Sequence, residues 1–168
     1  MLRDTSSRSQ HGNEAGRPQE ILFVCTANVC RSPMAEAIFN TLVDDANLPF
    51  RAQSAGIAAL VGEPMAPKAR ETLEEIGIRT QDHSARQIRE EMLQTADLVL
   101  AMTPRHVAEL RRFVEGSSHK VHTLPEYAGI GGETGIPDPY GGSMTAYRAS
   151  ARQISEYLSR VVQDLERR

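Results

Sequence analysis

Cys25-Thr26-Ala27-Asn28-Val29-Cys30-Arg31-Ser32, with Pro33 directly behind it, is the stretch that decides the fold. Ahead of it runs Ile21-Leu22-Phe23-Val24, an unbroken apolar run of the kind a buried strand needs. Behind it, Met34-Ala35-Glu36-Ala37-Ile38-Phe39 begins a helix, with Ser32 placed to cap it and Pro33 suited to the first helical position. The eight residues therefore form a loop between the C-terminal end of a strand and the N-terminal end of a helix. Free backbone N–H groups and the positive end of the helix dipole make such a place attractive to an anion. A cysteine at its head and an arginine near its end complete a phosphate-sized cradle.

These residue types fit covalent phosphoryl chemistry. The thiolate is the nucleophilic form of cysteine, and a helix N-terminus with a neighbouring arginine favours it. A thiolate at the bottom of an anion site can attack a bound phosphoryl group. Arg31 can hold two of its oxygens bidentately and stabilise charge in the transition state. A lone Cys25 would more simply be a buried strand-end residue. Here a cysteine, an arginine and a helix start coincide.

The run from Val24 to Glu36, with Asn28, Cys30, Ser32 and Pro33 in place, closely resembles the signature loop of the low-molecular-weight protein tyrosine phosphatases. The resemblance extends from about Glu20 to the C-terminus. It implies Cys25 as nucleophile, Arg31 as phosphate clamp, and Thr26, Ala27, Asn28, Val29, Cys30 and Ser32 as the phosphate-binding loop. It implies that Ser54 and His83 hold Asn28 by hydrogen bonds, since a loop with inward N–H groups needs locking from outside. Asp138, in Ile136-Pro137-Asp138-Pro139-Tyr140, reads alone as a turn former; the resemblance implies a general acid. No metal or other cofactor is implied, because Arg31 and the loop amides supply the positive charge.

Outward from the loop, the chain alternates strands and helices. Strands are predicted over Glu20–Val24, Phe50–Ser54, Asp97–Met102 and Lys120–Leu124. The first helix carries Met34, Ile38 and Leu42 on one stripe. A second spans Ala66–Ile76, with Ala69, Leu73 and Ile76 on one face and Gly77 closing it. A third follows Thr103-Pro104 with Val107, Leu110 and Val114 inward. A long last helix starts near Ser143 with Tyr147, Ile154, Leu158, Val161 and Leu165 on one stripe. Alternation predicts an α/β fold: a parallel sheet with helices on both faces and the phosphate-binding loop after the first strand. The resemblance implies four strands. Ligands of such sheets bind at the carboxyl ends of the strands, where Cys25, Ser54 and the Asp138 loop could meet.

Composition bounds the rest. Residues 1–18 are polar and are expected to be a disordered tail, leaving 19–168 as one phosphatase domain. A net charge of −3 gives no hint of nucleic acid. Two cysteines around one loop make no disulfide framework and no zinc-ligand pattern, so a cytoplasmic setting is expected. No apolar run reaches the length of a membrane span, and the start of the chain has no apolar core of a signal peptide.

The expected partner is a phosphorylated protein. Arsenate reductases with a similar loop relay oxidation through further cysteines, and this chain has none after Cys30. A non-catalytic phosphate-binding or redox module would not need both Cys25 and Asp138. For the substrate, the resemblance points two ways. The loop from Ile57 to Met65 carries Leu60 and Val61 but no aromatic wall, and Tyr140 is followed by Gly141-Gly142. Both features look like the bacterial branch that includes protein-arginine phosphatases. Val29, expected at the pocket rim, stands where that branch carries threonine and tyrosine phosphatases usually carry isoleucine. Valine lacks the hydroxyl, and a site built around a hydroxyl suffers more from its loss than an apolar site does from a missing methylene. Phosphotyrosine is therefore the expected substrate, with Val29, Leu60 and Tyr140 lining its pocket, and phosphoarginine the alternative.

Overall fold

A computed structural model describes residues 19–113, 116, 118–130 and 135–168. The expected tail, 1–18, and the inward placement of Val114 lie outside the described residues.

The apolar run after residue 19 is a central strand. β1 (Gln19–Cys25) pairs in parallel with β2 (Phe50–Gly56) on one side and β3 (Leu98–Ala101) on the other. β4 (Val121–Thr123) extends the sheet beyond β3, giving the order β2-β1-β3-β4. The register sets Cys25 beside Gly56 and Val24 beside Ala101. Because the chain leaves β1 toward one side and later returns to the other, the end of β1 is a topological switch point, where an open parallel sheet forms a crevice.

Side chains alternate along β1, so each face of the sheet has its own core. Ile21, Phe23 and Cys25 face α1 (Arg31–Asp45), α2 (Pro67–Glu75) and the long α6 (Met144–Glu166). Leu22 and Val24 face α3 (Glu90–Thr95) and α4 (Pro104–Phe113). Phe23 meets Phe39 edge to face, centroids 5.8 Å apart. Burying each of these rings contributes roughly 1.5–3 kcal/mol, enough to fix β1 against α1 and so aim the loop between them. The stripe Tyr147, Ile154, Leu158, Val161 and Leu165 is buried, as its spacing predicts.

Several local readings shift. α1 starts at Arg31, and Ser32 makes no capping bond. Its hydroxyl is committed to Cys25 Sγ and Asn28 instead, so site chemistry displaces helix chemistry. Ile76, expected on the buried face of α2, is exposed, because the helix ends at Glu75 and Gly77 turns the chain with a φ of 79°. Two short helices went unread: α3, and α5 (Leu124–Tyr127), which Thr123 caps from the end of β4. Each is too short to show a helical repeat.

Candidate active site

The loop after β1 is held by its carbonyls. Cys25 O accepts from Ile57 N, Thr26 O from Ala58 N and Ala27 O from Leu60 N, at 2.9–3.1 Å. Asn28 O accepts from His83 Nε2 at 2.7 Å, Val29 O from Ala66 N and Cys30 O from Met34 N. Six consecutive carbonyls are thus bonded to the loop's surroundings. Among the described residues, no protein acceptor takes the N–H groups of Thr26 to Ser32. A peptide whose C=O points one way points its N–H the other. These N–H groups line the concave side, where the helix dipole also ends, and together they form an anion-binding nest.

Asn28 is the pin of this curve. It holds a left-handed φ of 60°, a conformation that asparagine tolerates better than most residues. Its Nδ2 donates to Ser32 Oγ (2.9 Å) and Ser54 Oγ (3.0 Å), and its Oδ1 accepts from Arg86 N (2.9 Å). Ser54 and His83 therefore both reach Asn28, the serine at its side chain and the histidine at its carbonyl. Ser54 in turn donates to Glu36 Oε2 at 2.6 Å. Gly56 permits the close fit behind the loop: a Cβ there would stand 2.5 Å from Thr26 O. Gln87 takes Ala59 N and donates to Ile57 O, holding the segment that bonds the loop carbonyls.

Cys25 is buried at the head of the loop with its Sγ 2.9 Å from Ser32 Oγ. Arg31 is also buried; its Nη1 donates to Ile136 O (2.9 Å) and its Nη2 lies 3.5 Å from Asp138 Oδ2. Arg31 Nε, buried, has no partner in the protein, the condition of a donor reserved for a ligand. Asp138 is 51% exposed, and its Oδ1 accepts from Tyr140 N. Leu60 (43% exposed) and Tyr140 (61%) stand open to solvent on loops at this end of the sheet. Val29 does not: it is 4% exposed and packs in the main core, so the rim position expected for it is not where the chain puts it.

The two cysteines are chemically unlike. Both are free thiols, but burial pushes Cys30 up to about 11, against the lowering effect of its hydrogen bond with the Tyr147 hydroxyl. Burial raises Tyr147 as well. Cys30 is thus a structural thiol at neutral pH.

Four supporting residues escape a linear reading: Glu36, Arg86, Gln87 and His106. Glu36 looks like a helix surface acid, and Arg86-Gln87 like a solvated loop. His106, on α4, lies 80 positions from its partner Thr26.

Residues 20–168 match the family described as low molecular weight phosphotyrosine protein phosphatase. A protein-arginine-phosphatase of Bacillus subtilis is 36% identical over 148 residues, covering 88% of this chain and 97% of that one. A low molecular weight protein-tyrosine-phosphatase of Streptomyces coelicolor is 40% identical over 141 residues, 80% of this chain and 85% of the other. A solved mutant of the arginine phosphatase YwlE with a phosphorylated active-site serine superposes with a TM-score of 0.84 at 36% identity, covering 88% of this chain and 96% of that one.

Proposed function

The chain belongs to the low molecular weight phosphotyrosine protein phosphatase family, and on that premise we propose that it hydrolyses phosphotyrosine in proteins through a phosphocysteine on Cys25. The observation that carries this reading is the row of six bonded carbonyls, which leaves a nest of N–H groups beside a cysteine and a buried arginine.

The phosphoryl oxygens sit in the nest and on Arg31, whose unpartnered Nε and whose Nη2 face two of them side by side. The Cys25 thiolate attacks phosphorus, and the bond from phosphorus to the tyrosyl oxygen breaks. Asp138 gives that oxygen its proton. In the second step water attacks the phosphocysteine, passing a proton to the Asp138 carboxylate. The sulfur–phosphorus bond breaks, and Ser32 Oγ donates to the departing thiolate over the 2.9 Å contact. Inorganic phosphate leaves and both groups return to their starting states. No step calls for a metal, since Arg31 and the nest carry the charge.

Asn28, Ser54 and His83 act by holding the loop. Leu60 and Tyr140 line the mouth, with Tyr140 as the aromatic surface for a phosphotyrosine ring. Phosphoarginine is the alternative substrate, favoured by the likeness to the Bacillus subtilis protein-arginine-phosphatase and by a Leu60 loop without an aromatic residue. Residues 19–168 form the catalytic domain, and the protein works in the cytoplasm on phosphorylated proteins. Among the described residues no helix is long and apolar enough to cross a membrane.

The test is turnover of a chromogenic aryl phosphate, followed by phosphotyrosine and phosphoarginine peptides side by side. Aryl phosphatase activity that disappears in Cys25→Ser, with phosphotyrosine preferred, is the expected result. A preference for phosphoarginine overturns the substrate and leaves the mechanism standing.

A further inference from the structure

The cradle is braced unequally on its two sides. Toward β2 it has three carbonyl bonds to residues 57–60, the Asn28 pin and the close approach of Gly56. Toward β3, one hydrogen bond joins loop residues 26–30 to β3 or α4 among the described residues: Thr26 Oγ1 to His106 Nε2, 2.9 Å. Thr26 directly follows Cys25, and its N–H is the first of the nest.

His106 is built into its place. Its ring is buried, the residue being 5% exposed, and its backbone N–H donates to Thr103 Oγ1 at the start of α4. Gly135 packs so closely on Thr103 that a Cβ would stand 2.9 Å from Thr103 Cγ2. Ile136 N donates to Met102 O at 2.8 Å, which ties the Asp138 loop to the end of β3. The first turn of α4 is therefore where the cradle and the Asp138 loop meet.

The other ring nitrogen settles the direction of the bond. His106 Nδ1 is buried with no partner. An orphaned N–H is rarer in proteins than an unsatisfied acceptor, so Nδ1 keeps its bare lone pair and the proton sits on Nε2. Nε2–H then donates to Thr26 Oγ1, and the proton of the exposed Thr26 hydroxyl points elsewhere.

We propose that His106 is a positioning residue of the reaction: by donating to Thr26 Oγ1 it fixes the residue beside the nucleophile, and with it the first N–H of the nest, from the β3 side. The inference rests on the phosphatase reading of the site. The charged groups acting on the ring are Arg31 of α1, Asp138 of the facing loop, and Arg105 and Glu109 on α4 itself. Burial first, and Arg31 second, push His106 down to about 4, so the ring stays neutral near pH 7 and adds no competing cation beside Arg31.

The experiment compares His106→Gln, His106→Leu, Thr26→Val, Thr26→Ser and the double variant His106→Leu/Thr26→Val. It reads kcat/KM on an aryl phosphate and orthovanadate affinity by calorimetry. His106→Leu and Thr26→Val are each expected to lose about tenfold in both, the worth of one hydrogen bond. The double variant loses no more than either single one, because both remove the same bond. His106→Gln and Thr26→Ser, which keep a donor and a hydroxyl, recover most of the loss; a merely structural gap would not be mended this way. Losses that multiply to about 100-fold in the double variant overturn the proposal, as do a Gln variant no better than Leu and single variants equal to wild type. If His106→Leu does not fold, Thr26→Val against Thr26→Ser, on the exposed side of the bond, decides. If the unmodified protein turns over no aryl phosphate, the phosphatase reading has failed, and orthovanadate affinity across the same variants still judges the positioning role.

Discussion

The two halves of the site are built in opposite ways. The cradle from Cys25 to Ser32 is mostly buried, with six bonded carbonyls and an asparagine whose side chain makes three hydrogen bonds. The Asp138 loop reaches the same Arg31 from the other side, but its aspartate is half exposed and held locally by a bond from Tyr140 N. The contrast fits the role proposed for each half. Binding a dianion requires donors fixed before the ligand arrives, since reorganising them during the reaction would raise the barrier. Proton delivery to a leaving group requires reach into solvent and tolerance of different substrates, which suits an exposed loop. Substitutions in the first half should therefore damage binding, chemistry and stability together, and those in the second should damage chemistry alone.

The largest expected effect is at the residue both halves share. Arg31→Ala removes the proposed phosphoryl clamp and the partner of Asp138, and should lower kcat by about 10³–10⁵-fold, the worth of an arginine that stabilises a transferring phosphoryl group. Orthovanadate affinity should fall with it. Asp138→Asn should cost roughly 10²–10⁴-fold with poor leaving groups and much less in the first step with acidic ones. Its orthovanadate affinity should stay near that of the unmodified protein. Equal slowing for all leaving groups, or a lost vanadate site, would break the division between the halves.

Asn28→Ala sharpens the contrast on stability. It removes three side-chain hydrogen bonds and leaves alanine in a left-handed conformation. Urea denaturation should show a loss of about 3 kcal/mol, while Asp138→Asn should stay within about 0.5 kcal/mol, as for an ordinary exposed position.

The smallest effect near pH 7 comes from His106, whose contribution appears only in acid. His106 is held near 4 in the folded protein against an ordinary value of 6.5. Above 6.5 both folded and unfolded chains carry it neutral. Between 6.5 and 4 only the unfolded chain takes up the proton, so stability falls as pH drops, by up to about 1.4 kcal/mol per pH unit from this group. Below the folded value the loss from this group stops growing. Equilibrium unfolding of the unmodified protein and of His106→Gln across that range should differ by this slope; parallel curves would contradict it.

What the sequence made legible follows the range of the interactions concerned. The cradle is a local object: strand, loop and helix start lie in one short run, and their chemistry shows in residue types. The parallel sheet follows from the alternation of strands and helices, whereas its order, β2-β1-β3-β4, is set by long-range pairing that no local pattern shows. Ser32 was misplaced as a helix cap because its competing partners, Cys25 Sγ and Asn28, face it only once the loop has curved. Arg86 and His106 were missed because their roles depend on chain segments that only the sheet brings together. Val29 reads as a rim residue because the resemblance makes it the position that separates the two branches, yet the inward curl of the loop turns that side chain into the core.

If the cradle presents Cys25 to phosphorus, a covalent intermediate on its sulfur can be trapped. An aryl phosphate with an acidic leaving group is mixed with the protein, quenched in acid during turnover, and the digest is read by mass spectrometry. A phosphoryl group on Cys25 is expected, together with an initial burst of released phenol equal to the enzyme present. Sustained turnover with Cys25 unmodified at every time point would contradict it.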